Sequence, residues 1–133
     1  MKVYFDTSAF IPILAPEASS DTAVDLWHSA DQTFATRLLF VESKSALSRK
    51  GLDEDGEALE SMWGRFLLIE LEENLMKMAG AAVAEFGLRG FDAVHCAAGA
   101  SLGTDSVVLA SADRRLLSAW RSLGCATFDP NRN

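Results

Sequence analysis

The chain has 133 residues, of which 49% are hydrophobic, and its formal net charge is −7. A chain of this length typically forms one domain that buries roughly two thirds of its unfolded surface, so a core is possible without disulfides. The apolar runs are far shorter than the ~20 residues of a membrane span, and we expect no secretory signal. The acidic charge argues against strong DNA binding by this chain alone, because phosphate affinity comes mainly from Lys and Arg.

Short apolar runs typical of strands alternate with helical patterns along the chain. The first half predicts, in order, a strand over 2–5, a short helix after Ser8 that is broken near Pro12 and Pro16, a helix over 20–30 capped by Ser19 or Ser20, a strand over 33–36 and a helix over 38–50. The second half predicts a loop at 53–56, a helix over 57–65, a strand over 66–71, helices over 72–86 and 91–102, a strand over 106–110, a helix over 113–123 and a strand over 125–128.

This alternation predicts an α/β fold, a three-layer α/β/α sandwich with a mostly parallel central sheet. No linker, repeat or low-complexity run divides the sequence, so residues 1–133 are predicted to form a single domain. In such sheets, ligands bind beyond the carboxyl ends of the strands, near the point where the strand order reverses. Asp6 and Asp113 each lie just past the end of a predicted strand, so both are expected at that edge.

Four acids stand at the borders of predicted core segments. Asp6 ends a buried strand, Glu42 interrupts the apolar face of a helix, Asp92 opens a helix of small residues, and Asp113 follows the apolar run 107–110. A carboxylate at such a border loses solvation unless a cation or hydrogen-bond donors compensate it. Together the four predict one acidic pocket for a divalent cation such as Mg²⁺, which prefers oxygen ligands and can activate water for attack on a phosphodiester.

Each acid also has a structural explanation when it is taken alone. Asp6 could serve as a helix cap or turn residue, while Asp92 and Asp113 could occupy the first turn or the N-cap of their helices. Glu42 shares a helical face with apolar residues, and an unpaired Glu is rarely buried. We therefore expect that an Arg or Lys pairs with Glu42, or that Glu42 faces a cavity containing a cation.

Other polar residues lie close to these acids in the sequence. We expect His95 to pack beside its small-residue helix, with a role as general base or metal ligand as the alternative. Three short hydroxyl side chains are expected to cap helices, or else to bind a water or a phosphate: Thr7, Ser8 and Ser111. Three arginines are expected to be solvated, with phosphate contacts as the alternative: Arg89, Arg114 and Arg115. Cys96 and Cys125 match no motif, so free buried thiols in a reducing cytoplasm are predicted.

The segments that contain the acids resemble the PIN-domain ribonucleases, and among them the VapC-type toxins of prokaryotic toxin–antitoxin pairs. The matching segments, in the same order as in the family, are 3–9, 39–43, 89–95, 109–113 and 124–130. The resemblance implies hydrolysis of RNA at an Mg²⁺ or Mn²⁺ site whose catalytic acids are Asp6, Glu42, Asp92 and Asp113. It further implies that Asp6 and Asp92 bind the metal directly, that Asp113 completes its shell, and that Glu42 positions the attacking water. Ser111 matches a small hydroxyl residue that often stands beside the fourth acid.

The same resemblance implies the partners of this chain. A metal-dependent endoribonuclease that is the toxin of a type II pair would bind an RNA substrate and a cognate antitoxin, whose C-terminal tail occupies the active-site groove. It would form a homodimer and act in the cytoplasm without contacting a membrane. The acidic net charge of the chain favours a basic partner protein.

Two other classes of protein remain open from the sequence. One is a non-catalytic PIN-like module that binds RNA or protein, although an intact set of four acids is costly without a metal. The other is an Asp-based phosphoryl-transfer domain, because Asp6 follows a strand as the nucleophile of haloacid-dehalogenase-type phosphatases does. Such enzymes usually carry a second Asp two residues later, where this chain has Ser8, and a receiver domain would require a late Lys, whereas none follows Lys77.

Overall fold

The computed structural model describes residues 1–52 and 56–132; the predicted loop at 53–56 therefore lies, apart from its last residue, outside the described residues. The strands are β1 Lys2–Phe5, β2 Gln32–Ala35, β3 Phe66–Leu68, β4 Val107–Ala110 and β5 Ala126–Phe128. The helices are α1 Thr7–Leu14, α2 Ser20–Ser29, α3 Leu38–Arg49, α4 Gly56–Trp63, α5 Glu73–Phe86, α6 Gly90–Ala100 and α7 Arg114–Ser122.

The strands form one parallel sheet in the order β3-β2-β1-β4-β5. The chain moves outward from β1 to β3 and then crosses back to β4, so the strand order reverses between β1 and β4. In the register of this pair, Phe5 lies opposite Ala110, which brings the next residues, Asp6 and Ser111, side by side at the carboxyl edge. This is the position at which parallel α/β sheets bind ligands.

The sheet has helices on both faces, and the alternation of side chains along β1 assigns them. Tyr4 faces a core built with α5, α6 and α7. Val3 and Phe5 face the opposite core, which includes residues of α1, α2 and α4. The predicted three-layer α/β/α sandwich is therefore confirmed.

A close contact fixes α6 against α7. Gly99 of α6 lies so near Trp120 of α7 that a Cβ added at Gly99 would stand 2.9 Å from Cζ2 of the indole. The buried indole Nε1 also donates a 3.0 Å hydrogen bond to the carbonyl oxygen of Cys96. Gly99 and Trp120 both lie in the last turns of their helices, so this contact fixes the C-terminal ends of α6 and α7 against each other.

Most element boundaries lie within one or two residues of the sequence-based prediction, and two elements differ from it more clearly. The first helix is not broken at Pro12 but continues through it to Leu14. Pro12 is buried and lies two residues before the helix ends. Its missing N–H removes one helical hydrogen bond, and little helix follows that the proline could disrupt. The third strand ends at Leu68 rather than at residue 71, because its partner β2 is itself only four residues long.

Two further expectations concern the cysteines and the helices that could cross a membrane. Cys96 and Cys125 are both buried and unpaired, as predicted. Burial raises the pKa of Cys96 to about 11, which keeps this thiol protonated and unreactive at neutral pH. Within the described ranges, no helix combines the length and the apolar character that crossing a membrane requires.

Candidate active site

One open pocket of about 680 Å³ is lined by Glu17 together with the four predicted acids: Asp6, Glu42, Asp92 and Asp113. Asp6 directly follows β1, and Asp113 is the N-cap residue of α7 shortly after β4. Glu42 lies in the second turn of α3, and Asp92 lies in the first turn of α6. The fold thus brings the four predicted acids together at the switch point of the sheet.

Asp6 is held by hydroxyl groups. The residue is only 5% exposed, and its Oδ2 accepts hydrogen bonds from Ser8 Oγ at 2.6 Å and from Ser111 Oγ at 2.9 Å. Although Asp6 occupies the N-cap position of α1, its side chain makes no capping hydrogen bond. The carboxylate is therefore oriented by the two serines, with its other oxygen directed toward His95.

The same serines connect the end of β1 with the loop after β4. Ser8 Oγ accepts a 2.8 Å hydrogen bond from the backbone N–H of Ala112, and Ser111 Oγ accepts one of 2.9 Å from the N–H of Asp113. Asp113 Oδ1 in turn accepts from the N–H of Leu116 at 3.0 Å, so the N-cap explanation of this acid is correct and coexists with its place in the pocket. The loop is thereby fixed relative to Asp6.

Of the two alternatives expected for Glu42, pairing with Arg or Lys is wrong, and Glu42 lines the acidic pocket. Its partner is neither Arg nor Lys; Glu42 Oε1 accepts hydrogen bonds from Thr7 Oγ1 and from His95 Nε2, each at 2.8 Å. His95 is fully buried, and its second nitrogen, Nδ1, lies 2.7 Å from the hydroxyl of Tyr4. His95 is therefore not merely packed beside its helix, because both ring nitrogens take part in a buried Tyr4–His95–Glu42 chain.

Within the Tyr4–His95–Glu42 chain, the charges of His95 and Glu42 stabilise each other. Burial alone would lower the pKa of His95, but the negative charge of Asp6 and the hydrogen bond to Glu42 outweigh it and raise that pKa. Burial would raise the pKa of Glu42, but the hydrogen bond and charge of His95, together with Thr7, lower it. Burial and the nearby carboxylates raise the pKa of Tyr4, so the phenol stays protonated.

Asp92 is the least compensated acid of the pocket. In the described structure its side chain has no hydrogen bond and no ion pair, whereas Asp6, Glu42 and Asp113 each have at least one hydrogen bond. Partial burial, followed by the negative charges of Asp113 and Asp6, raises the pKa of Asp92, and the charge of His95 opposes this only in part. A cation placed here would relieve that repulsion.

The oxygen-rich set of side chains suits a small, hard cation. Throughout residues 1–52 and 56–132, no group of three or more His, Cys, Asp or Glu side chains is placed to hold a metal ion by itself. Mg²⁺ does not need such a group, since it keeps several waters and is often bound by one or two carboxylates. The site thus fits a hydrated Mg²⁺ or Mn²⁺ and not an ion enclosed by protein ligands, such as a structural zinc.

The rim of the pocket carries positive and apolar side chains. Arg49 and Lys50 line the same pocket as the acids, and Arg89 lies beside Phe91 and Asp92 in an adjoining depression. Phe91 is 63% exposed, and Val41, also on the rim, is 66% exposed. Arg114 and Arg115 are both exposed at the start of α7, outside the acidic pocket.

The architecture and the pocket define an α/β domain with an acidic site, and comparison with known proteins identifies its family. The model of the PIN domain matches residues 3–119, and the chain belongs to this family. Ribonuclease VapC45 from Mycobacterium tuberculosis is 33% identical over 141 aligned positions, which cover 96% of this chain and 98% of the relative. The resemblance recognised from the sequence is thus confirmed.

Solved structures share the same fold. FitAcB from Neisseria gonorrhoeae superposes with a TM-score of 0.70 at 17% identity, covering 100% of both chains. A toxin–antitoxin complex from Klebsiella pneumoniae gives a TM-score of 0.69 at 15% identity, covering 98% of both chains. At this level of identity the likeness concerns the fold, which therefore extends over the whole chain.

The sequence did not reveal the role of Tyr4, and for His95 it favoured packing, with a general base or metal ligand as the alternative. A signal was nevertheless present, because Tyr4 is the only tyrosine of the chain and stands in the middle of a buried strand. A buried phenol normally finds a hydrogen-bond partner. A search for that partner among the polar residues of neighbouring helices would have included His95.

Proposed function

We propose that this chain is an endoribonuclease that hydrolyses phosphodiester bonds of RNA with Mg²⁺ or Mn²⁺, and that it is the toxin of a type II toxin–antitoxin pair. The observation that carries the proposal is the meeting of four carboxylates at the switch point of a PIN domain sheet. A relative that matches nearly the full length is named a ribonuclease, and a structural neighbour is a toxin–antitoxin complex. We propose further that residues 1–133 form one PIN-like domain.

The environment of each acid would determine its role in the site. Asp92, which lacks a partner, and Asp6, which lies beside it, would bind the metal, and Asp113 would complete its shell with the oxygen that does not cap α7. Ser8 and Ser111 would keep the carboxylate of Asp6 in one orientation. When bound, the divalent cation would stabilise negative charge on the phosphate and make a water molecule more acidic.

Glu42 would hold the attacking water. Both of its hydrogen bonds, from Thr7 and from His95, end on Oε1, so Oε2 is left to accept a bond from water. Its lowered pKa keeps the carboxylate ionised and able to accept that bond at neutral pH. Thr7 and His95 would therefore act as positioning residues, because they fix Glu42 without touching the substrate.

The proposal is tested by incubating total cellular RNA with the purified chain and Mg²⁺ or Mn²⁺, with EDTA as the metal-free control. We expect discrete fragments that are absent in EDTA and in the Asp92→Asn variant. Asp105→Asn is the matched control, because Asp105 is exposed and precedes β4 at the opposite edge of the sheet. Fragments that persist at the normal rate in EDTA and in Asp92→Asn would refute the proposed role of the pocket.

The same experiment separates the alternative functions. A non-catalytic module would bind RNA and leave it intact at every metal concentration. A phosphoryl-transfer domain would also leave RNA intact. When supplied with a phosphate donor, it would form an acyl phosphate on Asp6, and hydroxylamine would cleave this acyl phosphate. The Ser8 and Ser111 hydrogen bonds to Asp6 favour an oriented metal ligand over a free nucleophile.

Two protein partners form part of the proposal. A cognate antitoxin would cover the acidic pocket and contact the exposed apolar rim formed by Val41 and Phe91. A second copy of the chain would pack on α5, where Met76 and Val83 are exposed seven residues apart and thus share a helical face. Light scattering of the purified chain tests the homodimer. The protein would act in the cytoplasm, where its RNA substrate is found.

A further inference from the structure

A second concave site lies between α7 and the segment that follows β5. It is a cleft of about 230 Å³ lined by Arg114, Leu117, Arg121, Asp129 and Arg132. Three of the 12 lysine and arginine residues of the chain therefore meet in one cleft, although the chain as a whole has a net charge of −7. Such a concentration of positive charge on an acidic protein is a feature that the catalytic pocket does not explain.

Most of the positive charge of this arginine cleft has no partner within the protein. In the structure as described, none of its three arginines forms an ion pair, and Arg121 donates from Nε to the neutral hydroxyl of Thr127 at 3.1 Å. Asp129 is the single carboxylate of the lining, and its Oδ1 accepts from the backbone N–H of Asn131 at 3.0 Å. Three guanidinium groups therefore share one carboxylate, and the excess positive charge suits an external anion.

Arg37, which lies elsewhere in the chain, has the carboxylate partner that the arginines of the cleft lack. Arg37 binds Glu70 through two hydrogen bonds, from Nε at 3.2 Å and from Nη2 at 2.8 Å. This forked arrangement is the one that an arginine adopts with a carboxylate or with a phosphate. The arginines of the cleft are free to adopt it with a ligand.

The cleft begins at the residue that follows the acidic pocket along the chain. Arg114 directly follows Asp113, and Arg121 lies seven residues later on the same face of α7, about 10 Å along the helix. At ~3.4 Å per nucleotide along a strand, this distance corresponds to about three nucleotides. A nucleic acid strand that leaves the acidic pocket in this direction would meet one arginine after another.

We propose that the arginine cleft binds the phosphate backbone of the RNA on one side of the bond that is cleaved. This proposal rests on the ribonuclease function proposed above. The acidic pocket repels RNA, so affinity must come from contacts outside it, and phosphate contacts position a strand without reading its sequence. The arginine cleft supplies these contacts and sets the direction of the strand relative to Asp113.

The test measures binding apart from cleavage. A fluorescently labelled single-stranded RNA of about 20 nucleotides is titrated with the full chain in EDTA, and anisotropy is followed at several salt concentrations. We expect Arg121→Gln and Arg132→Gln each to weaken binding about 5–10-fold at low salt. The slope of log K against log salt should fall by about 0.7 for each phosphate that the variant no longer neutralises, as for single strands. Circular dichroism confirms that each variant is folded.

Lys77→Gln serves as the matched control, because Lys77 is an exposed cation on α5 that pairs weakly with Glu73. An equal loss of affinity in this control would show that RNA senses only the overall charge, and the arginine cleft would be rejected. Unchanged affinity in both arginine variants, or no RNA binding by the wild type, would overturn it too. Binding of polyglutamate in place of RNA would identify an acidic protein as the ligand. If the cleft binds RNA but Mg²⁺ produces no cleavage, the proposed function fails and the cleft stands.

Discussion

At the scale of single residues, the Tyr4–His95–Glu42 chain couples the protonation of His95 to the stability of the fold. A histidine whose pKa is raised on folding contributes stability that is fully present below its unfolded pKa of ~6.5 and is lost as the pH rises through its folded value. We therefore predict that, in EDTA, the free energy of unfolding falls as the pH rises above ~6.5. One proton sets the upper limit, about 1.4 kcal/mol for each pH unit.

Urea unfolding at several pH values measures this dependence. His95→Gln should reduce the slope, because the titrating group is removed while a side chain able to form hydrogen bonds is retained. His28→Gln is the matched control, since His28 is exposed on α2, and it should leave the slope unchanged. A wild-type stability that rises with pH over this range, or a slope that survives in His95→Gln, would contradict the assignment.

At the scale of elements, Gly99 of α6 and Trp120 of α7 pack closely where the last turns of the two helices meet. We predict that Gly99→Ala destabilises the protein, because the added methyl group would lie 2.9 Å from the Trp120 indole. Overpacking of this kind costs about 1–3 kcal/mol, which urea unfolding measures.

Gly80→Ala is the control for this substitution. Gly80 also lies inside a helix, α5, but nothing stands within 4 Å of an added Cβ. This change should stabilise the protein by about 0.5–1 kcal/mol, since alanine favours the helix. Equal unfolding free energies of the two variants would show that α7 yields to the methyl group without cost and that the helices are not tightly packed at this contact.

The elements also show which parts of the site were predictable from sequence. Asp6 and Asp113 could be placed at one edge because each ends an apolar run, and parallel strands align their ends. The partner of Glu42 could not be found, because His95 lies 53 residues away and reaches Glu42 only where the fold brings α3 and α6 together at the carboxyl edge of the sheet. Arg121 and Arg132 were missed for the same reason, since only the fold places α7 beside the C-terminal segment.

At the scale of the whole molecule, the fold gathers negative charge at one edge of its sheet, and this costs stability until a cation binds. The pKa of Asp92 is raised, so its ionised form destabilises the metal-free protein at neutral pH, and the effect disappears below ~pH 4. We predict that Asp92→Asn is more stable than wild type in EDTA at pH 7. The gain should remain below about 1 kcal/mol because the carboxylate is partly exposed to water.

Mg²⁺ should reverse this order. A ligand that binds only the folded state stabilises it by about 2.7 kcal/mol at 100 times its Kd, so saturating Mg²⁺ should raise the wild type above Asp92→Asn, which has lost a proposed metal ligand. Asp105→Asn should follow the wild type under both conditions. Urea unfolding in EDTA and in Mg²⁺ at matched ionic strength measures the order of stability of the variants under each condition. If Asp92→Asn is the less stable protein in EDTA and Mg²⁺ stabilises neither, the acids are compensated within the fold itself, and the metal site must be abandoned.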